Sequence, residues 1–133
     1  MKLNISNTTK RRPGKIYLVR IRIMANIYKN DKVSLTNTNV TTLYTVPSNS
    51  RAIVKSILVA EDAGSAAVVK ATLTNSTGTA FVIDNNVSLS ANEKEQILTE
   101  PLIMTESEIL KVQATSGAVD IIASILEINR EDR

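Results

Sequence analysis

Short apolar runs alternate with turn signals from residue 31 to residue 128, and this pattern constrains the fold more than any other feature of the sequence. Val, Ile, Leu and Thr fill the runs, and β-branched side chains favour strands. Asn, Ser, Gly and Pro fill the breaks, as they do in tight turns. Residues 66–74 and 109–115 alternate with a period of two, which is typical of strands with one buried face. The pattern predicts an all-β chain.

Eight runs are predicted strands, at the spacing that sandwich and barrel folds show. They are residues 40–46, 51–60, 66–74, 79–89, 94–98, 102–104, 109–115 and 119–128. Their number and spacing predict an antiparallel β-sandwich of about eight strands, and a jelly roll is one form of it. A helix is the competing interpretation of residues 52–60 and 93–98, because Ile53, Ile57 and Ala60 lie at helical spacing. The density of Val and Ile and the flanking turns favour strands.

The predicted core draws on most of these strands. It consists of Leu43, Val54, Leu58, Val69, Leu73, Leu110, Val112, Ile122 and Leu126. Residues 51–60 and 119–128 carry apolar side chains on both faces, whereas the outer face of a two-sheet sandwich normally reads polar. We therefore predict that another copy or a different protein covers the second face. A closed barrel with an overlying loop would bury the same residues.

The composition argues against catalysis. The 133 residues include no Cys and no His, which excludes disulfides, thiolate metal sites and a Cys nucleophile, and removes the commonest general base. The sequence has no Gly-x-Ser-x-Gly motif and no glycine-rich phosphate loop, and it holds only four glycines. We expect a single domain that is not an enzyme and has no catalytic, metal or cofactor site.

Two groups of polar residues are candidate functional sites. Asp84-Asn85-Asn86 is a compact set of oxygen ligands for Ca²⁺, but it lacks the spaced carboxylates of an EF-hand, and a hairpin or bulge with Asx chemistry is preferred. Five glutamates could include a carboxylate pair for glycoside hydrolysis. They are Glu93, Glu95, Glu100, Glu106 and Glu108. Aromatic residues, which line sugar clefts, make up only 3% of the chain, so solvated loop acids are preferred.

Positive charge is concentrated at the N-terminus. Residues 1–23 hold seven of the 16 basic residues and no acid, which leaves nine basic residues against all 13 acids, a net charge of −4, in the rest of the chain. Residues 10–15 (KRRPGK) could bind nucleic acid by charge alone. A disordered arm or a misplaced start is preferred, so we do not expect nucleic acid as a partner.

Met24 opens a chain of different character. We expect the natural start at Met24, with residues 1–23 as a disordered or extraneous extension and residues 24–133 as one β-sandwich domain. Arg20 and Arg22 interrupt the apolar end of the extension, which does not fit a signal peptide, and no run approaches the length needed to cross a bilayer. Alternatively, residues 16–23 could add an edge strand or reach a neighbouring subunit.

A chain that begins at Met24 is therefore expected to unfold with the same midpoint as the full chain and to migrate as an acidic protein. The acidic balance follows from removing seven basic residues. Thermal unfolding and isoelectric focusing of both chains measure the two properties. Loss of the folded state on truncation would instead make residues 16–23 part of the fold.

Six segments carry a family resemblance through their order and spacing. They are MANIYKN (24–30), TTLYTVP (41–47), AIVKSI (52–57), EPLI (100–103), LKVQA (110–114) and SILEI (124–128). Together they resemble a group of short virion structural proteins of tailed bacteriophages, marine cyanophages especially. The resemblance covers almost all of residues 24–128 and none of residues 1–23.

The resemblance implies an all-β component of a virus particle that has no catalytic residues. Its place would be the virion, and the host cytoplasm during assembly. Such proteins serve as head decoration (cement) proteins, as neck or tail accessories, or as modules beside fibres. The implied partners are further copies, with a trimer favoured, and other virion proteins such as the major capsid protein, without a membrane. A host-glycan-binding module and a nucleic-acid-binding protein are the alternatives from other classes.

Overall fold

The computed structural model describes residues 24–116 and 118–130. Every regular element in these residues is a β-strand, and the strands form two antiparallel sheets. They are β1 (Met24–Leu35), β2 (Thr41–Thr45), β3 (Ser50–Glu61), β4 (Ala67–Thr74), β5 (Ala80–Leu89), β6 (Lys94–Gln96), β7 (Leu102–Met104), β8 (Ile109–Ala114) and β9 (Val119–Arg130). The predicted all-β sandwich is confirmed. The predicted extension, residues 1–23, lies outside the described residues.

The sheet order is that of a jelly roll. Sheet I has the order β1-β9-β3-β6, with β7 also paired to β3, and sheet II has the order β2-β8-β4-β5. The short strands β6 and β7 pair with opposite ends of β3 and so form one interrupted edge strand. Counted together, they give two four-stranded sheets in which the first and last strands are neighbours, as two Greek keys require. The described residues contain no helix long and apolar enough to cross a membrane.

The core fills the space between the sheets, as the alternation in β4 and β8 predicts. Fully buried side chains include Val54, Ile57, Ile121 and Ile125 from sheet I and Val69, Leu110 and Val112 from sheet II. Of the predicted core, Leu43, Val54, Val69, Leu110 and Val112 are buried, and Leu58, Leu73 and Leu126 are half-buried. The predictions for Leu58, Ile122 and Leu126 are wrong, because these side chains lie on the outer face of sheet I, where Ile122 is 40% exposed.

A β-bulge explains why the faces of β3 were assigned incorrectly. The register between β3 and β9 shifts between Val54 and Ser56. The extra residue reverses the alternation, so Ile57 points inward on the same side as Val54. Leu58 then turns outward. The predicted core therefore includes Leu58 beside Val54, where the structure has Ile57.

Candidate functional site

The outer face of sheet I carries an apolar row that crosses all of its strands. Tyr28 of β1 is paired with Leu126 of β9, Leu126 with Ile53 of β3, and Ile53 with Ile103 of β7. Side chains of directly paired residues point to the same face of a sheet. Tyr28 is 77% exposed and Ile103 is 67% exposed, while the two central residues are half-buried. These four residues are called the apolar row below.

A second apolar pair lies four residues farther along the strands. Ile122 of β9 is paired with Leu58 of β3, and Lys32 and Gln96 flank this pair on the neighbouring strands. Four residues of strand span about 13 Å, so a polar band separates the pair from the apolar row. The outer face of sheet I thus holds two apolar patches, with polar residues between them.

Basic residues surround this surface. Lys32, Arg51 and Lys94 occupy outward register positions, and Lys55 is exposed at the β3 bulge. These four residues are called the cationic frame below. Asp120 supplies the one carboxylate at an outward position of the paired strands that the structure describes in sheet I. The face is therefore cationic, although residues 24–133 carry a net negative charge.

The outer face of sheet II is polar by comparison. Thr72 is paired there with Lys111, and Lys70 with Gln113. A concavity of about 290 Å³ lies over this face, and Lys70, Thr72, Thr74, Lys111 and Gln113 line it together with Val40, Gly78, Ala80 and Val112. Phe81 and Val82 are exposed on edge strand β5, but as sequence neighbours they point to opposite faces. The two sheets therefore present chemically different outer surfaces.

A buried polar cluster joins the two sheets. The Tyr44 hydroxyl on β2 donates a hydrogen bond to Oε2 of Glu127 on β9, with an O–O distance of 2.6 Å. The Lys29 ammonium on β1 lies 3.9 Å from the same oxygen and 5.3 Å from the centre of the Tyr44 ring. Burial raises the pKa of Tyr44 well above its usual range, and the hydrogen bond to Glu127 raises it further. Tyr44 thus remains a proton donor, and the cluster connects the two sheets.

A second buried carboxylate organises the loops at one end of the sandwich. Glu61 accepts backbone N–H hydrogen bonds from Ala63 at 2.6 Å and Gly64 at 3.0 Å in its own loop, and from Asn92 at 2.7 Å in the β5–β6 loop. The Asn92 N–H is the main cause that lowers the pKa of Glu61 below its usual range, while burial opposes it. Gly64 has a φ of 80°, a conformation that favours glycine and aims its N–H at the carboxylate. Glu61 thereby ties two loops together.

Replacing Glu61 with glutamine is expected to lower the stability at neutral pH and to flatten the acid side of the stability–pH curve. A lowered pKa in the folded state contributes stability above the unfolded pKa of about 4.3, and this is lost as the pH falls through the folded value. The wild-type and variant curves should therefore converge below about pH 4. Urea unfolding from pH 3 to pH 7 measures this, with the exposed Glu95→Gln as control. Wild-type and Glu61→Gln curves that stay parallel over this pH range would contradict the expected role of the Glu61 carboxylate.

The structure spreads the predicted acidic residues over strand β6 and three loops, with Glu106 and Glu108 in the same β7–β8 loop. Oε1 of Glu93 accepts the Ser90 N–H at 2.6 Å, and Oε1 of Glu108 accepts the Thr105 N–H at 2.8 Å. Glu106 bonds in the same way to the backbone of the β2–β3 turn, and Glu95 and Glu100 are exposed. These contacts organise turns. No group of three potential metal ligands occurs in residues 24–116 and 118–130.

The cluster at residues 84–86 lies inside β5, which runs without a break from Ala80 to Leu89. Oδ1 of Asp84 accepts the Asn86 N–H at 3.0 Å, and the pairing with β4 shifts register beside it. The Asx interpretation of this segment is therefore confirmed. The basic run at residues 10–15 lies outside the described residues. Sequence reasoning missed Tyr28, because it did not predict β1 as a strand.

No protein-family model and no curated protein matches the sequence. Solved structures with a similar fold include infectious bursal disease virus, Gx strain, with a TM-score of 0.48 and 14% identity over 81% of this chain. The acidic stable capsid of Helicobacter pylori bacteriophage KHP30 gives a TM-score of 0.44 and 10% identity over 81% of this chain and 93% of that one. The Drosophila NLP core gives 0.41 and 14% over 80% of this chain and 99% of that one.

This chain spans 32% of the bursal disease virus chain. Two of these three structures come from viruses and the third from Drosophila, and all three TM-scores lie below 0.5. The likeness is therefore one of fold alone.

Proposed function

We propose that this chain is a non-enzymatic structural protein of a bacteriophage particle, and specifically a capsid decoration (cement) protein. The apolar row on the outer face of sheet I carries the proposal. A sandwich that needs no partner keeps its outer faces polar, as sheet II does, because outward side chains there meet water. A contiguous exposed apolar surface with polar surroundings is typical of a protein interaction site. The resemblance of residues 24–128 to virion structural proteins supports a particle as the setting.

A decoration protein has to bind the same lattice site many times as a rigid body, and the fold suits this task. The apolar row lies on regular strands, and three of the four strands that it crosses are 12 residues long. The Tyr44–Glu127 contact fixes the two sheets to each other, and Glu61 fixes two loops. A preformed surface loses little conformational entropy on binding, which favours affinity.

The proposed partners are the major capsid protein and further copies of this chain, with a trimer as the proposed assembly. The proposed location is the virion, and the host cytoplasm before assembly. A neck, tail or fibre accessory is the alternative within the particle, since the same surface would serve there. A host-glycan-binding module is a further alternative, and the concavity on sheet II is the observation that favours it, because Lys, Thr and Gln side chains there could bind sugar hydroxyl groups.

A mass-spectrometric inventory of purified virions tests the proposal through the copy number of this chain. A decoration protein is expected in hundreds of copies per particle. A dozen copies or fewer would replace it with a neck or tail accessory. Absence of the chain from purified virions would overturn the structural role altogether.

A further inference from the structure

We propose that the outer face of sheet I binds a different protein, whose docking surface combines apolar side chains with carboxylates, and not a second copy of this chain. The inference rests on the proposed function and names the chemistry of the partner. It follows from the position of the cationic frame relative to the apolar row.

The first step concerns the sign of the charge. The cationic frame contributes four basic side chains and Asp120 one carboxylate at the outward positions of the described strands. Complementary charge is what selects a partner at an interface and orients its approach. A partner that buries the apolar row therefore has to present acidic groups where it meets Arg51, Lys55 and Lys32.

The second step excludes a face-to-face pair of copies. A two-fold contact brings the same patch of both subunits together. The cationic frame of one copy would then face that of the other, with only two Asp120 carboxylates against eight basic side chains. Asp62, Glu93, Glu106 and Glu108 lie in loops and not on the strands of this face, so a two-fold contact does not bring them opposite the cationic frame. Like charges at an interface disfavour the pairing.

The third step identifies the partner as a protein. A nucleic acid is bound mainly through basic groups that contact its phosphates. Here the face also carries the apolar row, a Tyr and three branched aliphatic residues, and the basic groups lie beside it. An apolar centre with a polar rim, rich in Tyr and Arg, is the usual anatomy of a protein–protein interface. Twelve-residue strands give the face a length of about 40 Å, enough for a specific contact.

The experiment measures binding of the full chain to particles of the encoding virus that were assembled without it. Tyr28→Ser with Ile103→Ser removes the exposed ends of the apolar row, and Arg51→Glu with Lys55→Glu reverses part of the cationic frame. Each pair is expected to weaken binding by about tenfold or more. Amidation of the carboxylates on the particles should weaken wild-type binding similarly.

Matched controls come from elsewhere on the sandwich. Phe81→Ser with Val82→Ser and Lys70→Glu with Lys111→Glu change the same kinds of side chain on sheet II, and should leave binding within about twofold. Circular dichroism confirms that each variant is folded. Native mass spectrometry of the protein alone tests the second copy, and a single-stranded DNA 40-mer and phosphatidylserine vesicles test other anionic partners.

The outcomes separate this inference from the proposed function. If the folded wild-type chain does not bind the particles, both are overturned. If it binds but the sheet I variants bind equally well, or amidation has no effect, only the inference is wrong. If the wild-type chain self-associates and the sheet I variants do not, a second copy is the occupant. If the wild-type chain binds DNA or vesicles and the variants do not, the occupant is an anionic polymer or surface.

Discussion

Replacing Leu110 with alanine is expected to destabilise the protein by about 2–5 kcal/mol, the range for a leucine that leaves a cavity in a packed core. Leu110 is fully buried on β8, an inner strand of sheet II, and it is paired with Tyr44 on one side and Leu73 on the other. Neighbours on both sides leave the site little freedom to collapse. Chemical denaturation of wild type and variant measures the difference, provided that the dependence of the unfolding free energy on denaturant concentration is the same for both.

Ile122→Ala is the matched control for this prediction. Ile122 has the same number of carbon atoms as leucine and lies on an inner strand of the other sheet, but it points outward and is 40% exposed. The expected cost is about 1 kcal/mol or less. The measurement is made on dilute protein, because a partner on this face would bury Ile122. Equal losses at the two positions in a monomer would contradict the inward and outward assignment of the faces.

Ile122 also illustrates where sequence reasoning ended. Alternation identified β9 as a strand but could not decide which of its two apolar sets pointed inward, because Ile122, Leu126 and Ile128 alternate with Ile121 and Ile125. The buried face also contains the charged Glu127, opposite to the usual expectation. Only the pairing with β1 and β3 decides the orientation. The partners of Ile122 in this pairing, Lys32 and Leu58, are distant in the sequence.

The strand β1 was missed for a related reason. Its sequence is rich in polar residues, and two of them, Lys29 and Asp31, are register partners of the inward-pointing Ile125 and Ala123. Lys29 lies 3.8 Å from Asp31 and 3.9 Å from Glu127. The inner face of β1 therefore makes ionic contacts as well as apolar ones. A hydrophobic period of two is therefore absent from this strand. The partner that permits a lysine there is about 100 residues away in the sequence.

The candidate surface was predictable in part. The apolar character of both faces of β3 and β9 was visible in the sequence, and it led to the prediction of a covered outer face. Of the other two residues in the apolar row, Tyr28 comes from a strand that was not predicted, and Ile103 comes from a three-residue strand that is too short to show which face is buried. The bulge in β3 also determines that Ile53 and Leu58 share the outer face. Strict alternation along the sequence does not detect a bulge, because the extra residue changes which face the following residues occupy.

The buried contact between Tyr44 and Glu127 gives the second large prediction. Tyr44→Phe keeps the ring and its packing but removes the hydroxyl that donates to Glu127 at 2.6 Å. Glu127 is then left with Lys29 at 3.9 Å, longer than a hydrogen bond. A hydrogen bond to a charged group contributes about 1.5–3 kcal/mol, so the variant should lose about that much stability at neutral pH. Tyr28→Phe makes the same chemical change on an exposed residue and should stay within about 0.5 kcal/mol of wild type.

The pH dependence gives this prediction a second signature. The pKa of Tyr44 is raised in the folded state, so its contribution to stability is fully present below the unfolded pKa of about 10 and is lost as the pH rises above that value. Phenylalanine does not titrate, so the stability difference between wild type and Tyr44→Phe should narrow in alkali. Urea denaturation of both proteins from pH 7 to pH 11 measures this difference. A gap that stays constant above pH 10 would mean that the destabilisation comes from altered packing of the ring and not from the loss of a proton donor to Glu127.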